Sequence, residues 1–278
     1  MADIQADYNL GLTVFRIAFL CAEIPSQLVS KKIGPDRWIP ILICTWSIVS
    51  LSQFWLGGRS SFLAYRAVIG LLQGGFIPDM VLYMSYYYKG TELPIRLAIF
   101  WTADRIKDVF VPILAFGVLR MRGVQGQAGW RWLFLIQGLI NLVIGVWSFF
   151  MMAPSPTQTK APWRPKGWFT DKEEKVLVNR ILRDDPSKWG MHNRQAVNWR
   201  LFWRSLCDYD LWPLYLIGLS FSIPAGPPKQ YITLSLKSLG FDTFETNLLT
   251  IPAQVATSIN VCTCLQCSQC LSGRANNT

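Results

Sequence analysis

Residues 65–96 read YRAVIGLLQGGFIPDMVLYMSYYYKGTELPIR. The stretch is apolar enough to cross a bilayer, yet it carries Arg66, Gln73 and Asp79. Gly70 and Gly74 stand four apart with Gly75 beside them, a spacing that lets helix backbones approach closely in a membrane. Pro78 then removes a backbone donor from the middle of the span. A guanidinium at membrane depth costs about 2.5–3.5 kcal/mol on insertion scales, which argues that Arg66 faces a bundle interior or a watery cavity. It lies only a few residues into the span, so snorkelling to the nearer interface is the competing reading.

The flanking sequence repeats the membrane signature. Residues 10–30 form a span holding Arg16 and Glu23, seven apart and therefore on one helix face. Residues 38–56, WIPILICTWSIVSLSQFWL, run nineteen positions without a charge and carry Trp near both ends, as interfacial anchors do. Residues 61–87 form the third span and 95–119 the fourth. The fourth concentrates Asp104, Arg105, Lys107 and Asp108 in five positions. These charges either line a polar cavity or mark a segment released from constraint. Residues 130–152 form a fifth, strongly apolar span.

Composition then changes. Residues 153–168 hold four prolines and no periodicity, the mark of an extended linker. Thr170 and Glu173 make a capping box, opening a helix of about a dozen residues that ends at Asp184-Asp185-Pro186. Val176, Leu177, Ile181 and Leu182 give it an apolar stripe, so it lies on the membrane surface or docks under the bundle. Two further spans are expected at about 211–224 and from 244. The parts are a transmembrane bundle at 1–152, a basic cytoplasmic linker at 153–207, the start of a second bundle at 208–261, and a Cys-rich tail at 262–278.

Overall, 51% of residues are apolar, 16% are charged, and the formal charge is +10. The charge does not indicate nucleic acid, because no groove-reading motif accompanies it. The basic residues sit in loops instead, eleven of them between 160 and 204, which places that loop in the cytoplasm. The turns at 31–37 and 89–96 share its side by parity, while Arg120, Arg122 and Arg131 run against the bias. The first ten residues hold two Asp and no Lys or Arg, unlike a signal peptide.

Cys21, Cys44 and Cys207 read as small buried hydrophobes. Cys262, Cys264, Cys267 and Cys270 match no standard metal-ligand spacing, and a shifted reading frame or truncated gene explains them more simply. His192 is the only histidine and falls in the hydrophilic loop. No nucleophile–base arrangement and no phosphate-binding Gly-rich loop is present in the sequence, so neither an enzyme nor an ATP-driven pump is expected. No cofactor and no metal site is expected.

The turn SQLVSKKIGPDRW at 26–38 resembles the loop motif between the second and third helices of the major facilitator superfamily. Lys31, Lys32, Gly34, Asp36 and Arg37 carry that likeness, although Gln27 and Lys31 stand where a glycine and an acid are usual. Arg66, Gly70 and Gly74 resemble the superfamily's fourth-helix motif. Longer strings are similar to the fungal anion:cation symporters, the allantoate, pantothenate and nicotinate permeases. They are CAEIPSQL at 21–28, GPDRWIP at 34–40, residues 71–96, GWRWLFLIQG at 129–138, LRDDPSKWGMHNRQ at 182–195, residues 208–228 and LGFDTFETNLLTIP at 239–252. The charged DRIKD run at 104–108 departs from that family.

The resemblance implies an all-α, polytopic membrane protein with a partial major facilitator fold, its helices matching the second to eighth of twelve. It implies proton-coupled symport of a small organic anion across the plasma membrane. Arg66 is then the candidate charge partner of the substrate. Glu23, Asp79 and Asp104 are candidate proton or ion-pair partners, and Arg16 and Gln73 candidate path-lining residues. With most of the second half unmatched, the chain is expected not to transport by itself. A non-transporting membrane protein or pseudogene product is the alternative.

Overall fold

The structure is a computed structural model. It describes residues 2–120, 123–157, 159–160, 164–165 and 167–186, then 200, 203–204, 207–218, 220 and isolated positions between 231 and 256. The expected span at 211–224 is described as helix over 212–218 and at 220. The span from 244 falls largely outside the described residues, and His192 and the Cys-rich tail wholly so.

The principal helices are α1 (Ala2–Ile33), α2 (Pro35–Ser52), α3 (Arg59–Gln73), α4 (Phe76–Tyr87), α5 (Leu93–Leu119), α6 (Gly129–Met151) and α7 (Asp171–Asp184). Among the described residues, four stretches are long and apolar enough to cross a membrane: Ala6–Ile33, Pro35–Trp55, Arg59–Tyr87 and Gly129–Met151. Helix α5 has the length but carries Arg96, Asp104, Arg105, Lys107 and Asp108, and is not among them. The stretch 61–87, expected as one helix, is two. Pro78 has no amide to offer the Gly74 carbonyl, so the helical ladder lapses at Gly74–Gly75, whose backbone stays right-handed helical, before α4 begins at Phe76.

The chain divides into two compact units, Met1–Leu97 with Met121–Ala196, and Ala98–Arg120 with Val197–Thr278. In the first, α1 packs along α3, and α2 packs along α6 on one side and against α3 and α4 on the other. Glycines make both long contacts. A β-carbon on Gly70 would stand 2.5 Å from the Phe15 carbonyl oxygen, and one on Gly74 would stand 2.4 Å from that of Phe19. On α6, a β-carbon at Gly138 would meet Leu51 at 2.9 Å, and one at Gly145 would meet Cys44 Sγ at 2.8 Å. Lipid tails provide no hydrophobic drive between helices, so such close packing is what holds them together.

The outer faces are apolar. Ile17, Leu20, Val143 and Trp147 are all more than half exposed, which suits a surface wetted by hydrocarbon. The same geometry corrects the expectation for cysteine. Cys21 and Cys207 are exposed and only Cys44 is packed, because an apolar side chain in a thin bundle has no need to be inside.

The turn between α1 and α2 is built by Gly34, whose φ of 105° and ψ of 135° lie in a region open essentially to glycine. Its amide bonds the Ser30 carbonyl at 2.7 Å, and Pro35 opens α2 at the position proline suits best. At the opposite end, the Arg131 guanidinium donates to Gln127 Oε1 at 2.7 Å and reaches the Leu56 carbonyl at 3.5 Å. A basic residue that runs against the charge bias is thus employed in tying two helix ends together.

Helix α7 carries the expected capping box at Thr170 and Glu173. It docks against α4, one of the two settings expected, with Leu177 and Leu182 half-buried. Ile181 is 1% exposed whereas Val176 is 67% exposed. Arg180 forms an ion pair with Glu92, and Asp184 Oδ2 accepts from the Gly90 amide at 2.9 Å. The turn after α4 and the basic linker therefore share one end of the unit, as parity of the spans requires. Tyr83 and Tyr87 fasten the same end by donating to the Ala153 carbonyl at 3.1 and 2.9 Å.

In the second unit, α5 neutralises its own charges. Lys107 Nζ stands 2.7 Å from Asp104 and 3.8 Å from Asp108, and Arg105 lies 3.6 Å from Asp108. Two acids and two bases one turn apart leave no net charge, which lowers the cost of carrying them at membrane depth.

Candidate functional site

The polar residues of the first unit fall at two levels along α3–α4. At the first, Arg66 projects from α3 with its guanidinium carbon 5.1 Å from the centre of the Phe62 ring. The Phe62 ring in turn is pressed against Gly11 of α1, where a β-carbon would come within 2.4 Å of it. Arg66 Nε is buried and has no acceptor among the described residues. The charge is thus half sheltered against an aromatic face, with donor capacity to spare. Gln73 follows seven residues on, two turns along the same helix face, and closes α3.

At the second level, Asp79 sits in the first turn of α4 with 0% exposure. Neither of its oxygens has a hydrogen-bond partner among the described residues. Ser30 of α1, itself fully buried, approaches the carboxyl at the margin of hydrogen-bond geometry. Ser26, one turn earlier, accepts from Trp38 Nε1 at 2.9 Å. The position a Gly75 β-carbon would take lies 1.8 Å from Ser26 Oγ and 3.3 Å from Asp79 Oδ2. Glycine at 75 is what lets the serine face of α1 close over the carboxyl. Arg66 and Asp79 are thirteen residues apart, about 20 Å along the axis, so they are separate features and not a pair.

The remaining predicted residues are spread out. Arg16 and Glu23 lie on the flank of α1, away from the Phe15, Ala18, Phe19 and Ala22 side that packs on α3. Arg16 is exposed and Glu23 half-buried. Lys31 and Lys32 occupy the last turn of α1, where cations suit the helix dipole. Asp36 opens α2 buried, with Arg37 beside it at 3.9 Å and 65% exposed. Asp104 belongs to α5 in the second unit and pairs with Lys107.

The serines escaped the reading of the sequence because the turn motif drew attention to the charges that follow them. Their signal was present nonetheless. Ser26 and Ser30 are four apart, on the helix face that continues Ala18 and Ala22 toward the glycines of α3.

Comparison with known proteins follows this geometry. An uncharacterized transporter of Saccharomyces cerevisiae, YIL166C, is 46% identical over 257 residues, 92% of this chain and 47% of that protein. The MFS transporter prlL of Fungal sp. (strain NRRL 50135) is 30% identical over 246 residues, 88% of this chain and 48% of that protein. A protein of Agrobacterium vitis whose name proposes tartrate transport is 30% identical over 171 residues, 62% of this chain and 36% of its own length. The match spans about half the length of the first two of these relatives. The profile of the Major Facilitator Superfamily matches residues 3–270. With glycine-packed membrane helices and transporter-named relatives on either side of that match, the chain belongs to the Major Facilitator Superfamily, a family of transporters and not of enzymes.

Proposed function

We propose that the protein serves proton-coupled symport of a small organic anion across the plasma membrane, as a relative of the fungal anion:cation symporters. Arg66 carries this reading. It is a permanent cation held in an apolar span, braced on Phe62, with a buried donor unspent. A carboxylate is the natural acceptor for such a planar fork. The Agrobacterium relative named for tartrate transport is consistent with a carboxylate cargo. In folds of this kind the substrate sits near the midplane between two halves that rock around it. Residues 1–152 supply the first half, 153–207 the cytoplasmic link and 208–261 the beginning of the second. Gln73 and Arg16 line the path, and Glu23, Asp79 and Asp104 are the acids available to exchange protons.

Binding is the suitable readout because the chain spans about half of its relatives' length. Purified protein is titrated with radiolabelled tartrate, nicotinate, pantothenate and allantoate. The expected result is saturable binding of at least one carboxylate. Arg66→Ala weakens that binding by tenfold or more, and Arg66→Lys, which keeps the charge but not the fork, weakens it less. Binding untouched by Arg66→Ala in a folded protein removes Arg66 from the site. Absence of binding by any of these anions favours a non-transporting membrane protein.

A further inference from the structure

The break between α3 and α4 lies about halfway along the apolar stretch Arg59–Tyr87. Two features of this break bear on a bound ion. Pro78 leaves the Gly74 carbonyl without its usual helical donor. Asp79 and Ser30 are both at 0% exposure, and their three side-chain oxygens have only the marginal approach of Ser30 to the carboxyl among the described residues. An ionised carboxylate sealed in this way demands a compensating charge. No lysine or arginine among the described residues pairs with Asp79. Tyr86 of α4 lies within electrostatic reach of the carboxyl and supplies no positive charge. Interrupted membrane helices whose free carbonyls stand beside an acid are a recurring way to hold Na+ or H+ in transporters.

We propose that the α3–α4 break is the site of the coupling cation. Asp79 is its charged ligand, Ser30 and Ser26 of α1 supply hydroxyl oxygens, and the Gly74 carbonyl completes the set. The site deepens the symport reading by giving the driving ion a place about 20 Å along the helix from Arg66. Trp38 stiffens it by holding Ser26 in position. Proton and sodium share the chemistry required, since each neutralises the carboxylate. Glycine at 75 is essential, because any side chain there collides with Ser26.

The test is binding of radioactive sodium to the purified protein, with no anion present. The expected result is saturable binding that weakens as pH falls, is abolished in Asp79→Asn and is about tenfold weaker in Ser30→Ala, a typical value for one contact to a charged group. Ser30→Ala removes a single atom and keeps the comparison sound if Asp79→Asn folds poorly. If sodium does not bind, acid–base titration decides. Wild type taking up one more proton than Asp79→Asn between about pH 5 and 9 identifies the ion as H+. Neither signal, or sodium binding unchanged in both variants, overturns the proposal. Loss of carboxylate binding with cation binding intact sinks the anion reading alone.

Discussion

Gly74 illustrates how single atoms set this architecture. Its missing β-carbon leaves room for the Phe19 carbonyl, and a methyl group there would meet that oxygen at 2.4 Å and Ala22 at 3.2 Å. Backbone cannot retreat as a flexible side chain does, so α1 and α3 must separate. Gly74→Val is expected to cost about 1–3 kcal/mol, the usual penalty of overpacking. It should lower the melting temperature of the detergent-purified protein, whereas Gly117→Ala, where nothing lies within 4 Å, should leave it unchanged. Equal melting of the two variants contradicts the close α1–α3 contact. The spacing of Gly70 and Gly74 was readable in the sequence as a packing device, but their partners were not. Periodicity tells which face is small and is silent about which neighbour approaches it. Asp79 shows the same limit. Its presence in an apolar span marked it out, whereas its pocket depends on two serines about fifty residues earlier.

At the scale of elements, α7 joins a local signal to a tertiary one. The capping box at Thr170 and Glu173 was legible because it is written within four residues. The docking of the helix was not, since it depends on Glu92 and Gly90, far back in the chain. The apolar stripe misled in one respect, because Val176 faces outward and Ile181 alone is sealed. Ile181→Ala should release the helix at a cost of about 2–5 kcal/mol and speed proteolysis of the linker. Arg180→Ala removes only a half-exposed ion pair and should cost less than about 1 kcal/mol. Comparable cleavage rates in the two variants would show that charge, and not burial, seats α7.

The same helix has a pH dependence of known sign. The Thr170 amide and hydroxyl donate to Glu173 at 2.8 and 2.9 Å and hold its carboxyl below the usual carboxylate range. A group whose folded pKa is depressed adds stability above its unfolded value, about 4.3, and loses it as pH falls through the folded value. Hydrogen-exchange protection of residues 171–176, normalised to intrinsic rates, should therefore fall below about pH 4. Thr170→Ala should flatten that dependence. Protection rising on acidification contradicts the capping role.

For the whole molecule, an inside-out apolar pattern, two glycine seams and a basic end where α7 meets the α4–α5 turn make a membrane bundle of the Major Facilitator Superfamily. Hydropathy located the four membrane-length stretches of the described residues because the bilayer sets their length, whereas the charges of α5 keep the expected span at 95–119 out of that set. The lapse in the helical ladder at Gly74–Gly75 and the self-neutralised turn of α5 are settled instead by proline's missing amide and neighbouring side chains, which composition averages away. The proposed symport requires that anion and cation occupy the bundle together, linked so that each favours the other. That link is measured by adding a carboxylate ligand to the protein in unbuffered solution near neutral pH and following the bulk pH. The account predicts alkalinisation amounting to about one proton taken up per anion bound, lost in both Arg66→Ala and Asp79→Asn. Anion binding with no change in bulk pH, and with no dependence on sodium, contradicts it.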